Sequence, residues 1–192
     1  MTRIVSGSRG GRRLTMPPGD QTRPTSSKVR EALFSSLASW TGGAGGPAEA
    51  ALRGWAFCDL FAGSGAVGLE AASRGAGPVV LVESSRRALR TIDQNIAAVD
   101  LGVEVRRDAV EDLVRRQPPY PFDIVFLDPP YELATGRLEA ILRDLVANGW
   151  LTAEGLVVVE RSGRDPAPRW PDGLGDTWDK RYGETVLYFG AA

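Results

Sequence analysis

The chain has 192 residues, enough for one well-packed α/β domain and too few for two ordinary ones. A single cysteine, Cys58, and no histidine exclude an internal disulfide and a thiolate metal cluster, and remove the commonest metal ligand and general base, so no metal is expected. The net charge of −1 conceals an arm: residues 1–30 carry seven basic side chains against Asp20 alone, leaving about −7 for the remainder.

Arg3, Arg9, Arg12, Arg13, Arg23, Lys28 and Arg30 form that arm. Arginine in a basic segment suits phosphate and base contacts, which points to a polyanionic partner. A merely soluble, arginine-rich terminus fits the composition equally well. The first residues, Met1-Thr2-Arg3-Ile4-Val5, lack the apolar stretch of a leader or membrane anchor, so a cytoplasmic protein is expected.

In chain order, Thr2-Arg3-Ile4-Val5 and Arg12-Arg13-Leu14-Thr15 flank Gly7, Gly10 and Gly11 and read as a β-hairpin. Thr25-Ser26-Ser27 offer N-caps to a helix whose Val29, Leu33, Leu37 and Trp40 share a face that should pack on the main sheet. Residues 1–40 therefore read as a basic extension, and 41–53, rich in glycine, as a flexible connector. From residue 54 the pattern alternates. Strands are expected at 55–60, 79–83, 102–106, 122–127 and 156–160, with helices from 66, around Leu89-Ile92-Ile96-Val99, near 109–116, and through Leu138-Ile141-Leu142-Leu145. Such alternation predicts a mostly parallel sheet covered on both faces. A C-terminal antiparallel hairpin turns at Gly183-Glu184, and Cys58, inside an apolar strand, reads as a packed thiol.

Two motifs carry chemistry. After the first strand stand Gly63-Ser64-Gly65-Ala66-Val67-Gly68, whose glycines let a ligand approach the backbone, and Glu83 ends the next strand in position to hold ribose hydroxyls. This much also fits NAD. The preceding Asp59-Leu60-Phe61-Ala62 tilts the choice: a carboxylate there is poorly placed for a pyrophosphate but suits the ammonium and sulfonium of S-adenosylmethionine. Asp108 can accept from an adenine amino group with the Ala109 amide donating to the ring, or Asp108 can cap the following helix.

The second motif is Asp128-Pro129-Pro130-Tyr131, directly after the strand Phe122–Leu127. Consecutive prolines stiffen the loop, which presents the Asp128 carboxylate and Pro129 carbonyl as two acceptors for an exocyclic amine, with the Tyr131 ring free to stack on a base. The plainer reading is a strand terminator with Asp128 capping the next helix. In a doubly wound sheet, ligands bind where strand order reverses, which would set the glycine loop and Asp128 across one cleft.

Asp59-Leu60-Phe61-Ala62-Gly63-Ser64-Gly65, Glu83 and Asp128-Pro129-Pro130-Tyr131 resemble the class I methyltransferases that act on exocyclic amines. Arg23-Pro24-Thr25, Val29-Arg30-Glu31-Ala32-Leu33-Phe34 and the run from Gly68 to Ala76 are similar, more narrowly, to the RsmD-type 16S ribosomal RNA guanine-N2 methyltransferases. The resemblance covers residues 3–37 and 54–160, weakens in the C-terminal hairpin and is absent from 41–50. Ser35, where asparagine is expected, departs from the pattern.

The resemblance implies a doubly wound, Rossmann-like sheet of seven strands, and a cofactor site of Asp59, Phe61, Ala62, Gly63, Ser64, Gly65, Glu83, Ser84, Asp108, Ala109 and Asp128, with Arg23 and Thr25 closing over it. It implies as substrate a guanine of 16S rRNA in the small ribosomal subunit or a late assembly intermediate. Asp128, Pro129, Pro130 and Tyr131 would carry catalysis and the basic arm would hold RNA. Nothing demands more than a monomer. Methylation of adenine N6 or cytosine N4, and a non-catalytic RNA-binding assembly factor, remain alternatives.

Overall fold

The computed structural model describes residues 2–17 and 26–192. β1 (Thr2–Arg3) pairs antiparallel with β2 (Arg13–Leu14), closing the expected N-terminal hairpin with fewer paired residues than the sequence suggested. Helix α1 (Ser27–Trp40) starts at Ser26, whose hydroxyl accepts from the Val29 amide, so of the three offered caps the middle one is used.

The domain then alternates: β3 (Phe57–Leu60), α2 (Ala66–Ser73), β4 (Val79–Val82), α3 (Arg86–Val99), β5 (Glu104–Arg106), α4 (Val110–Leu113), β6 (Phe122–Leu127), α5 (Thr135–Ala147), β7 (Leu151–Ser162), β8 (Asp176–Tyr182) and β9 (Thr185–Ala191). The seven strands run in the order β5-β4-β3-β6-β7-β9-β8. β3 through β7 are parallel, and β9 lies antiparallel between β7 and β8. Because β4 lies on one side of β3 and β6 on the other, the order reverses at β3, which sets the ends of β3 and β6 side by side as a ligand site requires.

Period-two alternation divides the core between two faces. Cys58, Leu60, Val125, Leu127 and Val157 pack with Leu138, Ile141 and Leu145 of α5. Phe57, Ile124, Phe126 and Val158 pack on the opposite face with Val29, Leu33, Phe34 and Leu37 of α1 and with Val67 and Ile92. Burial pushes the Cys58 thiol well above its ordinary value, in keeping with a packed, unreactive side chain.

Three features depart from the expectation. Residues 41–53 are folded against the end of α2: Thr41 Oγ1 donates to the Ala51 carbonyl, a 3-10 turn spans Ala48–Ala50, and the amide of buried Leu52 donates to the Arg74 carbonyl. Glycine is needed there for closeness, since a Cβ on Gly43 would fall 2.3 Å from the Ala51 carbonyl oxygen. β7 is far longer than 156–160 because its register against β6 shifts between Phe122 and Ile124, adding a polar stretch through Gly155 that reads as non-strand. β8 is an exposed edge strand of mostly polar residues, so no apolar run announced it. Among the described residues no helix is long and apolar enough to cross a membrane.

Candidate active site

At the end of β3 the chain turns sharply. Phe61, Gly63 and Gly65 have φ of 63°, 57° and 77°. For Phe61, which carries a Cβ, that region is costly and persists only where neighbours enforce it. They do so here: the Ala62 amide donates to the Val82 carbonyl and the Gly65 amide to the Ala62 carbonyl, at 2.9 and 2.7 Å. Gly68 serves packing, because a Cβ would lie 2.0 Å from Leu81 Cδ2 and force α2 off the sheet.

Two carboxylates organise this turn. Glu83, directly after β4, accepts from the amides of Gly63, Ser84 and Ser85 at 2.9, 2.8 and 2.7 Å. Both its oxygens are thereby fixed at the rim with acceptor capacity remaining. Asp59 is buried in β3 and accepts from the Gly68 amide at 2.8 Å. Burial pushes its carboxyl up to about 8; the Gly68 hydrogen bond opposes this, and the negative charges of Asp128 and Glu83 add to it.

Asp128-Pro129-Pro130-Tyr131 leaves the adjacent end of β6. Asp128 is half-buried, Pro129 is buried, and Tyr131, 55% exposed, presents its ring to solvent. The loop is locked behind the tyrosine: the Leu133 amide donates to the Pro130 carbonyl, its side chain enters the core, and its carbonyl accepts from Arg161 Nη1. Asp128 caps no helix, since α5 begins only after Ala134.

These elements open on one cleft of about 670 Å³, within the usual range for a small-molecule site. Asp59, Phe61, Ala62, Gly63, Ser64, Glu83, Ser84, Asp128, Pro129, Pro130 and Tyr131 all line it. Gly65 stands behind the wall as N-cap of α2. Half-buried Asp108 and exposed Ala109 are not brought into the cleft wall: Asp108 Oδ1 instead accepts from Arg116 Nη2 at 3.0 Å, and it does not cap α4, whose N-cap is Ala109. Arg23 and Thr25 lie outside the described residues.

The basic arm divides. Arg3, Arg12, Arg13 and Lys28 are exposed. Arg9 is spent on the domain, its Nε and Nη2 donating to the carbonyls of Val99 and Asp100. Arg30 corrects the expectation most sharply. It is buried, lies 3.6 Å from Glu70, and donates to the Arg3 carbonyl, so it cannot reach RNA from this position.

Sequence reasoning missed the tether of which Arg30 is part. Glu70 of α2 is wholly buried and accepts from the amides of Val5 and Ser6 and from Arg74 Nε. Ser73 adds hydrogen bonds to Ser6 and Arg9. Asn95 of α3 accepts from the Thr15 amide and donates to the carbonyls of Thr15 and Ser64, tying the arm to the glycine loop. The arm thus supplies a wall of the cleft through Thr2, Met16 and Pro17. A lone glutamate in the otherwise apolar run Ala66–Ala72 was the available signal, because a charge there must find a buried partner.

The reversed strand order, the antiparallel strand near the sheet's edge and the shared cleft define the fold of class I methyltransferases. The solved structure of yhhF from Escherichia coli superimposes with a TM-score of 0.80 at 30% identity, covering 99% of this chain and 97% of that one. A 16S rRNA N2 G1207 methyltransferase from Thermus thermophilus, solved with AdoMet and guanosine, shares the fold at a TM-score of 0.70 and 21% identity, over 91% of this chain and 45% of that one. The family model described as conserved hypothetical protein 95 matches residues 2–191, and the chain belongs to that family. Ribosomal RNA small subunit methyltransferase D of Escherichia coli (strain K12) is 36% identical over 171 residues, 88% of this chain and 79% of the relative.

Proposed function

We propose that this protein is an S-adenosylmethionine-dependent ribosomal RNA methyltransferase that modifies the exocyclic N2 amine of a guanine in the small-subunit rRNA. The observation that carries this reading is that Asp128 and Pro129 stand in the same cleft as Asp59, the glycine loop and Glu83, on neighbouring strand ends. The names of the relatives support rRNA as substrate, and a fold neighbour solved with AdoMet and guanosine supports both ligand classes.

The residues present fit the cofactor. Glu83 offers fixed acceptors for ribose hydroxyls, the turn 61–65 brings backbone to the cleft, and Asp128, joined by Asp59 once a cationic ligand draws off its proton, supplies negative charge for that ligand. S-adenosylmethionine, when bound, supplies an electrophilic methyl group and leaves as a neutral thioether. Asp128 and the Pro129 carbonyl accept the two N–H bonds of the guanine amine, turning its nitrogen lone pair out of the ring system and holding it oriented. After transfer the amine nitrogen bears an extra proton, which passes to Asp128 or to water. Tyr131 stacks on the extruded base, and Arg3, Arg12, Arg13 and Lys28 hold the flanking phosphates.

Labelled-methyl transfer to small subunits lacking the modification tests this. Asp128→Ala is expected to reduce transfer by at least about a thousandfold, the scale on which positioning and charge stabilisation act, while calorimetry still detects cofactor binding. Undiminished transfer by the variant would sink the mechanism. A wild-type protein that binds subunits but never S-adenosylmethionine would instead be an assembly factor.

A further inference from the structure

The cleft continues past the clamp onto the next strand. β7 lies parallel to β6, on the side away from the glycine loop, and beyond the Leu127–Val159 pair its end contributes Glu160, Arg161 and Ser162 to the cleft wall. Arg161 is only 6% exposed. Its guanidinium has five N–H donors, of which Nη1 donates to the Leu133 carbonyl at 3.2 Å. Nη2 lies 3.1 Å from Asp165 Oδ2, yet that oxygen is out of hydrogen-bond alignment, and the buried Nε has no partner.

A buried cation with donors to spare is costly unless something meets them. Arg161 lines the same cleft as Asp128 and Pro129 of the amine clamp. If the amine sits between Asp128 and the cofactor above β3, the rest of the base must extend over β6 toward β7, because the glycine loop occupies the other side. Guanine presents there, across its Watson–Crick edge from N2, the carbonyl O6, and arginine is the side chain best matched to guanine acceptors.

We infer that Arg161 is the specificity-determining residue that recognises the O6 acceptor of a guanine whose N2 amine is held by Asp128 and Pro129. The inference rests on the methyltransferase reading above. Arg161 does no chemistry: it selects the base that carries an amine at position 2 together with a carbonyl at position 6. Its bond to Leu133 couples the reader to the clamp, since Leu133 also closes the turn at Pro130.

The test uses small subunits reconstituted with a synthetic rRNA segment bearing, at the methylated position, either guanine or 2-aminopurine, which keeps the amine and lacks O6. Wild-type enzyme is expected to prefer guanine by about ten- to a hundredfold in kcat/KM, the range for one hydrogen bond from a charged donor. Arg161→Met should lower the rate on guanine by a similar factor and bring the ratio of the two bases close to one, with cofactor affinity unchanged. Arg161→Lys, keeping one donor, should retain part of the preference and guards against a methionine variant that fails to fold. An undiminished guanine preference in Arg161→Met overturns the inference, because a merely structural arginine would slow both bases alike. Equal wild-type rates on the two bases overturn it as well, whatever the variants do. No transfer to guanine by wild-type enzyme is a different result, and it counts against the proposed function itself.

Discussion

The two halves of the cleft are built on opposite principles. On the β3–β4 side the key polar groups already have partners: Glu83 holds three amides, Asp59 holds Gly68, and Asn95 holds Ser64 and Thr15. On the β6–β7 side Tyr131 stands in solvent, and Arg161 keeps an unused Nε, as Arg30 does behind Glu70. A pre-satisfied wall costs nothing to organise when a small cofactor arrives, whereas exposed stacking surface and spare donors await a partner that brings its own shape. The contrast suggests a cofactor half rigid before binding and a substrate half completed by RNA.

The largest effect that could break this contrast is expected at Glu70, which backs the finished half. Glu70→Ala strands Arg30 and Arg74 as buried charges and frees the amides of Val5 and Ser6. A loss of about 3–5 kcal/mol in unfolding free energy by denaturant titration is expected, together with weakened cofactor binding as the arm detaches. A loss below about 1 kcal/mol would mean that the arm is not what keeps the cofactor half in shape.

Tyr131→Ala should act on the other half alone. Removing an exposed ring leaves stability unchanged, but the stacking lost, about 1–3 kcal/mol, should appear as a roughly ten- to hundredfold drop in kcat/KM on subunits with cofactor affinity intact. A variant that loses thermal stability instead would show that the ring belongs to the fold.

How much of this was legible in the sequence follows from distance along the chain. The glycine turn, Glu83 and the Asp-Pro-Pro-Tyr loop are local signals, each set by a few consecutive residues and the strand before them, and the structure places them on one cleft. The tether was not legible, because Glu70 meets Val5 and Asn95 meets Thr15 across 65 and 80 residues. The same blindness made the basic arm look uniform. Composition reports that Arg9, Arg12 and Arg30 are charged, but only the fold decides that Arg30 is buried against Glu70 while Arg12 is exposed. Arg161 escaped notice because it stands among mixed polar residues at a strand end whose length the sequence understates.

That division of the arm yields a smaller, sharper effect. Replacing exposed Arg3, Arg12 and Arg13 together by Ala should flatten the salt dependence of subunit binding, lowering the slope of log K against log salt by about two, as loss of three phosphate contacts requires. Folding should be spared. Arg9→Ala, whose guanidinium is tied to Val99 and Asp100, should leave that slope nearly unchanged and loosen the hairpin instead. Equal slopes for wild type and the triple variant would remove the arm from the RNA interface.

The finished half of the cleft carries a pH dependence that belongs to Asp59. Its carboxyl, pushed up to about 8 mainly by burial, has an ordinary value of 3.8. Between those values the folded state holds a proton that the unfolded state has released, so Asp59 lowers stability as pH rises from about 4 to 8 and no further above. A cationic ligand in the cleft favours the ionised form and reverses the sense. Cofactor affinity should therefore climb as pH rises toward 8 and level off beyond it, by at most about tenfold per pH unit, with proton release on binding. Calorimetry in buffers of different ionisation enthalpy reads that proton directly. Asp59→Asn, which cannot ionise, should bind more weakly at pH 8 and lose most of the slope. If wild type and the Asp59→Asn variant give parallel profiles, the titrating group lies on the ligand, and the finished half of the cleft owes its affinity to the acceptors of Glu83 and the bare backbone of the glycine turn.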